Sequence, residues 1–134
     1  MSGPACVTGR FQPVHEDHLR LFRMGLEQRG HLIVGVTNPD PSTRRPEPAG
    51  AHRHRDDANP FTYWERSRLL LAAVGHDRRV MVVPFDLGRP ELWGCYAPLD
   101  AVQYVGRGGA WEAEKARRLA AGGYRVVEAE PGPG

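Results

Sequence analysis

Cysteine is scarce in this chain. Cys6 and Cys95 are the only two, far apart and without CxxC spacing, which argues against a disulfide framework and fits a reduced compartment. A charge excess is missing as well. Eighteen Lys and Arg stand against sixteen Asp and Glu, a formal net charge of +2, far from the basic surplus of a bulk nucleic-acid binder. No apolar run approaches the length of a membrane span, and the N-terminus lacks the charged-then-apolar pattern of a secretory signal. A soluble, cytoplasmic protein with neither nucleic-acid nor membrane partners is expected. Internal repeats and long low-complexity tracts are absent too. At 134 residues one domain with a real core spans 1–134 and leaves no room for a second. Nothing in the sequence sets the oligomeric state, and a homo-oligomer is compatible with it.

What is present is an alternation. Residues 5–8 read as a strand. From His15 to about Gln28, Leu19, Phe22 and Leu26 recur at helical spacing, with Gly30 as the stop. Residues 31–37 form a continuous apolar run of the kind found in a buried parallel strand. Residues 38–60 break the rhythm with several prolines and charges. Thr62 then starts a second helix, with Glu65 at capping-box spacing and Leu69, Leu70, Ala73 and Val74 on its buried side. Residues 80–84 read as a third strand, 90–96 as a short helix or turn and 100–105 as a fourth strand. An amphipathic helix over 111–121 ends at Gly122 and Gly123, and 124–127 form a fifth strand. Strands alternating with helices imply right-handed crossovers and a parallel sheet covered on both faces. The fold class is therefore α/β: a single Rossmann-like, three-layer domain with a five-stranded parallel sheet.

The strongest local signal joins the first strand to the first helix: Gly9-Arg10-Phe11-Gln12-Pro13-Val14-His15-Glu16-Asp17-His18. A helix start offers unpaired N–H groups and a positive dipole end, so it favours phosphate. His15 and His18, three residues apart, fall on one face of the first turn. With Arg10 they make a compact site for neutralising polyphosphate, which points to nucleotide chemistry. A zinc reading fails on spacing, because the metalloprotease helix needs histidines at i and i+4 with an interposed glutamate. No metal-ligating residues are assigned.

Gly9-Arg10-Phe11-Gln12-Pro13 followed by His15-x-x-His18 resembles the opening of the HIGH-type nucleotidyltransferases of the cytidylyltransferase-like superfamily. The likeness is strongest to their nicotinamide-mononucleotide adenylyltransferase-like branch. Asn59-Pro60-Phe61-Thr62-Tyr63-Trp64-Glu65-Arg66 resembles the Asn-Pro-Phe-Thr-x-x-Glu-Arg block that the branch carries further along. Two blocks in the right order are far more specific than either alone, and the resemblance runs from about residue 5 to about residue 127. Within the branch, Val36-Thr37-Asn38-Pro39-Asp40, Ala51-His52-Arg53-His54, the second block and residues 83–93 resemble the phosphonate cytidylyltransferases of natural-product pathways.

In such reactions an acceptor oxyanion attacks the α-phosphorus of a nucleoside triphosphate and pyrophosphate leaves; the protein aligns the substrates and offsets charge. The resemblance implies that His15 and His18 are catalytic, meeting the phosphates as imidazolium donors. It implies nucleotide contacts from Gly9, Arg10, Phe11 and Gln12, and base reading by backbone groups near Gly106 and Arg107. It implies acceptor contacts from Asn38, Arg53, His54, Asn59, Thr62, Arg66 and Trp93. Taken alone, the residues leave alternatives open. Gly9 serves as an ordinary turn glycine and Arg10 as a surface arginine; Asn59 and Thr62 serve as turn and cap residues; Arg66 pairs near Glu65; Trp93 buries a core edge; and residues 106–109 form a plain glycine-rich linker. The loop holding Arg44, Arg45, His52, Arg53, His54, Arg55, Asp56 and Asp57 reads either as a solvated charged loop or as an anion-gripping lid over the acceptor.

Two departures stand out. The family usually has glycine just before the second histidine, where this chain has Asp17. A carboxylate there repels polyphosphate unless it turns outward or meets a cation. The closing Ser-x-Thr-x-x-Arg phosphate clamp of the family is not found in the sequence, so it is expected to be absent or truncated. The reading is transfer of CMP from CTP to a small phosphonate such as phosphonoformate, with magnesium bridging the triphosphate. The partners are thus a nucleoside triphosphate and a small anionic acceptor. The alternatives are adenylyl transfer from ATP to nicotinamide mononucleotide, and a protein that binds a nucleotide without turning it over.

Overall fold

The computed structural model describes residues 3–44 and 59–130. Five parallel strands, β1 (Ala5–Gly9), β2 (Leu32–Val36), β3 (Val80–Pro84), β4 (Val102–Gly106) and β5 (Arg125–Ala129), form one sheet in the order β3-β2-β1-β4-β5. The central strands β1 and β2 are buried at every position, which is why they read as unbroken apolar runs rather than as alternations. The strands β3 and β5 pair on one side only and carry the exposed Met81, Arg125 and Glu128.

Three helices cover the sheet: α1 (Glu16–Arg29), α2 (Tyr63–Ala73) and α3 (Ala110–Ala121). On one face, Leu21 and Phe22 of α1 and Leu70 of α2 close over Val7, Val34, Val36 and Val102. On the other, Ala116 and Leu119 of α3 meet Cys6, Ile33 and Val105, together with Trp93 and Ala97. The result is the expected three-layer Rossmann-like α/β domain. Short 3₁₀ turns occupy Pro41–Thr43 and Pro90–Cys95. No described helix is long and apolar enough to cross a membrane.

The caps follow the sequence. Gly30 adopts φ 84° and its N–H donates to the Leu26 carbonyl at 2.9 Å, ending α1 with the left-handed residue that glycine tolerates best. Thr62 and Glu65 form the reciprocal capping box of α2, at 3.1 and 3.0 Å. One expectation needs correction. The buried side of α2 is Arg66 and Leu70, with Tyr63 and Val74 partly covered, while Leu69 and Ala73 are exposed. A charged residue sits on the face where an apolar one is expected, which displaces the helix's apolar stripe. The fifth strand also runs on to Ala129, because Glu128 and Ala129 pair with Val105 and Gly106. On an edge strand the polar Glu128 faces solvent without breaking the ladder.

Candidate active site

The sheet reverses direction of growth between β1 and β4: from that boundary the order runs outward to β2 and β3 on one side and to β5 on the other. A crevice opens beyond the carboxyl ends of strands at such a switch point. Here it is a pocket of about 300 Å³, lined by residues 8–13, by the start of α1 and by Gly106, Arg107, Trp111, Glu112 and Lys115.

The turn after β1 is built around an inward ring. Phe11 has φ 51° and is 2% exposed. Its ring meets His18 edge-on at 4.6 Å and Phe22 at 5.8 Å between centroids. Gly9 leaves room for it: a Cβ on Gly9 would lie 3.0 Å from Phe11 Cζ. Phe11 thus supports His18 from below with its ring, a packing role beside the nucleotide contact that the resemblance implies. His15 is the N-cap of α1, and its backbone N–H donates to His18 Nδ1 at 3.1 Å. The two rings stack at 3.6 Å and 20°. Nδ1 accepts this bond, so phosphate contact from the His18 ring falls to Nε2.

Charge in the pocket is predominantly positive. Arg10, Arg20, Arg107 and Lys115 join the histidines, against Asp17 and Glu112. Burial pushes the Arg10 guanidinium below its ordinary range. Asp17 is part of that lining, and its carboxylate, 66% exposed, meets a cation 3.9 Å away at Arg20 Nε. This is the arrangement that a carboxylate beside polyphosphate needs. Arg107 lines the pocket while its guanidinium pairs with Glu130 at 2.6 Å, and its N–H donates to the Ala129 carbonyl at 2.8 Å.

The two sequence blocks bind each other. The Gln12 side-chain amide donates to the Phe61 carbonyl at 3.1 Å and accepts from the Phe61 N–H at 2.8 Å. Asn38, at φ 49°, donates through Nδ2 to Asn59 Oδ1 at 3.4 Å. Arg66 is 2% exposed. Its Nη1 donates to the carbonyls of Arg10 (2.9 Å) and Thr37 (2.7 Å), its Nη2 to that of Asn38 (2.7 Å) and its Nε to that of Thr62 (3.2 Å). Burial, aided by Arg44 and Arg10, lowers its pKa to about 10, so it is a cation at neutral pH. The sequence offers Arg66 as an acceptor ligand or a salt-bridge partner near Glu65. The structure instead makes it a staple between α2 and the ends of β1 and β2, because carbonyls left open where strands stop need donors.

Trp93 likewise takes its core alternative. It is 2% exposed, packs on Phe85 and Tyr124 and donates Nε1–H to the Asp86 carbonyl at 2.8 Å, outside the pocket lining. Thr62 caps α2. Arg53 and His54, with Arg45, His52, Arg55, Asp56 and Asp57, lie outside the described residues. Lys115, Trp111 and Arg20 also line the pocket, and no motif in the sequence singles them out. The i, i+4 pair Trp111 and Lys115 directly after the glycine-rich 106–109 segment is the signal that marks α3 as the pocket's second wall.

Known proteins bear on this geometry. The cytidylyltransferase-like family model matches residues 6–112. The chain is 38% identical over 131 residues to the phosphonoformate cytidylyltransferase of Streptomyces viridochromogenes, spanning 94% of this chain and 71% of that one. It is 29% identical over 127 residues to the nicotinamide-nucleotide adenylyltransferase of Pyrococcus horikoshii, spanning 89% of this chain and 59% of that one. A solved structure of the bifunctional NMN adenylyltransferase/ADP ribose pyrophosphatase of Francisella tularensis, complexed with AMP and a manganese ion, superposes with TM-score 0.64 at 14% identity. It covers 96% of this chain and 37% of that one. One family model thus spans most of the chain, over a cleft placed at the sheet's switch point, and the chain belongs to the cytidylyltransferase-like family.

Proposed function

We propose that the cleft transfers CMP from CTP to a small phosphonate such as phosphonoformate and releases pyrophosphate. The carrying observation is His18, held at the third position of α1 in the pocket lining with Nδ1 accepting the His15 N–H, a geometry that supports phosphate contact through Nε2. An acceptor oxygen forms a bond to the α-phosphorus, the bond to the bridging oxygen breaks, and pyrophosphate leaves with that electron pair. Donors fixed before the reaction stabilise the charge that accumulates, which is where most of the rate advantage arises. The α1 N-terminus, Arg10 and the two histidines supply them. Choice of CTP rests on likeness: the cytidylyltransferase relative is 38% identical, the Pyrococcus adenylyltransferase 29%.

Magnesium belongs to this reading as part of the substrate, carried in on the triphosphate oxygens. Among the described residues no group of three His, Cys, Asp or Glu side chains is placed to hold a metal ion. The test is pyrophosphate release from CTP and from ATP, with magnesium, against phosphonoformate, other small phosphonates and nicotinamide mononucleotide. CTP-specific release with a phosphonate is the expected result. Preference for ATP with the mononucleotide refutes the phosphonate reading, and nucleotide binding without release from any acceptor refutes catalysis.

A further inference from the structure

Two of the pocket's cations are already engaged. Arg107 is held by Glu130 at 2.6 Å, and the Lys115 ammonium donates to the Thr8 carbonyl at 2.8 Å. Arg20, in the same lining, differs. It sits on α1 three residues after Asp17, on the same side of the helix. Its side chain is 25% exposed, and its Nε is buried without a hydrogen-bond partner among the described residues. The Asp17 carboxylate stands 3.9 Å away, close enough to offset charge and too far to accept a hydrogen bond. We propose that Arg20 is an oxyanion ligand of the pocket. Its guanidinium fork takes a phosphoryl oxygen of the nucleotide or an anionic oxygen of the acceptor, and Asp17 is the counterion that the bound substrate displaces.

Geometry and chemistry support this together. A guanidinium stays charged and offers its N–H groups in one plane. Burying such a donor unmet costs free energy, and native proteins keep few of them. A carboxylate at 3.9 Å leaves that cost in place, because it satisfies no N–H. A phosphate, phosphonate or carboxylate brings two acceptor oxygens at the spacing of the fork, the pairing to which a guanidinium is best suited. Asp17 yields readily: its carboxylate is 66% exposed, so water solvates it as the pair opens.

The inference rests on the nucleotidyl-transfer reading, and its test separates the two. The probes are cytidine, a CTP analogue with an uncleavable methylene bridge between the α- and β-phosphorus, and phosphonoformate added to protein saturated with that analogue. Titration calorimetry measures each on the unmodified protein, Arg20→Gln and Arg20→Lys, with a melting curve for every variant. Arg20→Gln should weaken the analogue or phosphonoformate by ~10-fold or more and leave cytidine and Tm unchanged. Loss of the analogue assigns the fork to the nucleotide, and loss of phosphonoformate alone assigns it to the acceptor. Arg20→Lys should not restore the affinity, since an ammonium keeps the charge and lacks the fork. Asp17→Asn should tighten the same ligand by ~2–5-fold. Unchanged affinity for both anions in Arg20→Gln overturns the inference, as does full affinity in Arg20→Lys, equal weakening of cytidine, or weaker binding in Asp17→Asn. Failure of the unmodified protein to bind the analogue at all overturns the nucleotide reading itself, and the inference with it.

Discussion

Arg66 supplies the sharpest test of how this site is held together. Four carbonyls, those of Arg10, Thr37, Asn38 and Thr62, accept from one buried guanidinium at 2.7–3.2 Å. Each bond from a charged donor contributes about 1.5–3 kcal/mol net, but burying the cation offsets much of that gain. Removing it leaves four acceptors facing a cavity that water fills only in part. Arg66→Ala should therefore cost ~3–5 kcal/mol, the range for breaking a buried charged network. For a chain of this size each kcal/mol shifts Tm by roughly 3–5 °C, so the loss should be about 10–25 °C. Arg66→Lys keeps the charge but reaches fewer carbonyls, and should cost roughly half as much. The assay is thermal melting followed by circular dichroism, with acceptor KM measured on the same preparations. A Tm within 2 °C of the unmodified protein, coupled to a large rise in acceptor KM, would refute the staple and restore Arg66 as a ligand.

Other consequences are open to the same kind of check. His18→Ala should lower turnover by ~100-fold or more while leaving the melting curve nearly in place; unchanged turnover rejects its role. Gly122→Ala drives a Cβ to 2.3 Å from Trp93 Cζ3 and should destabilise by ~1–3 kcal/mol, and Trp93→Phe should lower Tm without moving acceptor KM. Cys95 is exposed and Cys6 is buried with its pKa pushed up to about 12 by desolvation; a thiol reagent should modify Cys95 quickly and Cys6 only on unfolding. Glu114 is held down at about 2 by Arg117 and Arg118. Its folded pKa lies below the unfolded value near 4.5, so the stability it contributes is present above that pH and lost as pH falls towards about 2. Glu114→Gln should flatten that acid limb, and an unaltered limb would show the contacts to be inert.

The fold was legible because each helix carries a boundary signal of its own: Gly30 after α1, the Thr62–Glu65 box at the start of α2, and Gly122 and Gly123 after α3. Unbroken apolar runs at β1 and β2 marked the buried centre, so the parallel sheet followed. The site was legible only as a place. The turn from β1 into α1 gave the phosphate end, yet which polar groups face a ligand depends on contacts between residues 49 or 56 positions apart, as with Gln12 to Phe61 and Arg66 to Arg10. No periodicity reports such contacts. Trp93 shows the same limit from the other direction, since it packs on Phe85, just after β3, and Tyr124, just before β5.

Those long-range contacts explain why the two blocks occur together. The Gly9–Pro13 turn presents the Arg10 carbonyl and the Gln12 amide, and both are satisfied by the second block, through Arg66 and the Phe61 backbone. Each block therefore supplies the other's missing hydrogen-bond partners, and much of the motif is scaffold rather than ligand set. A double-mutant cycle on Gln12→Ala and Arg66→Lys measures this directly. If the blocks act as one hydrogen-bonded unit, the second change should cost less once the first is made, with a coupling of ~0.5–3 kcal/mol. Strict additivity would mean that the blocks are independent, and that their joint presence answers to the substrates alone.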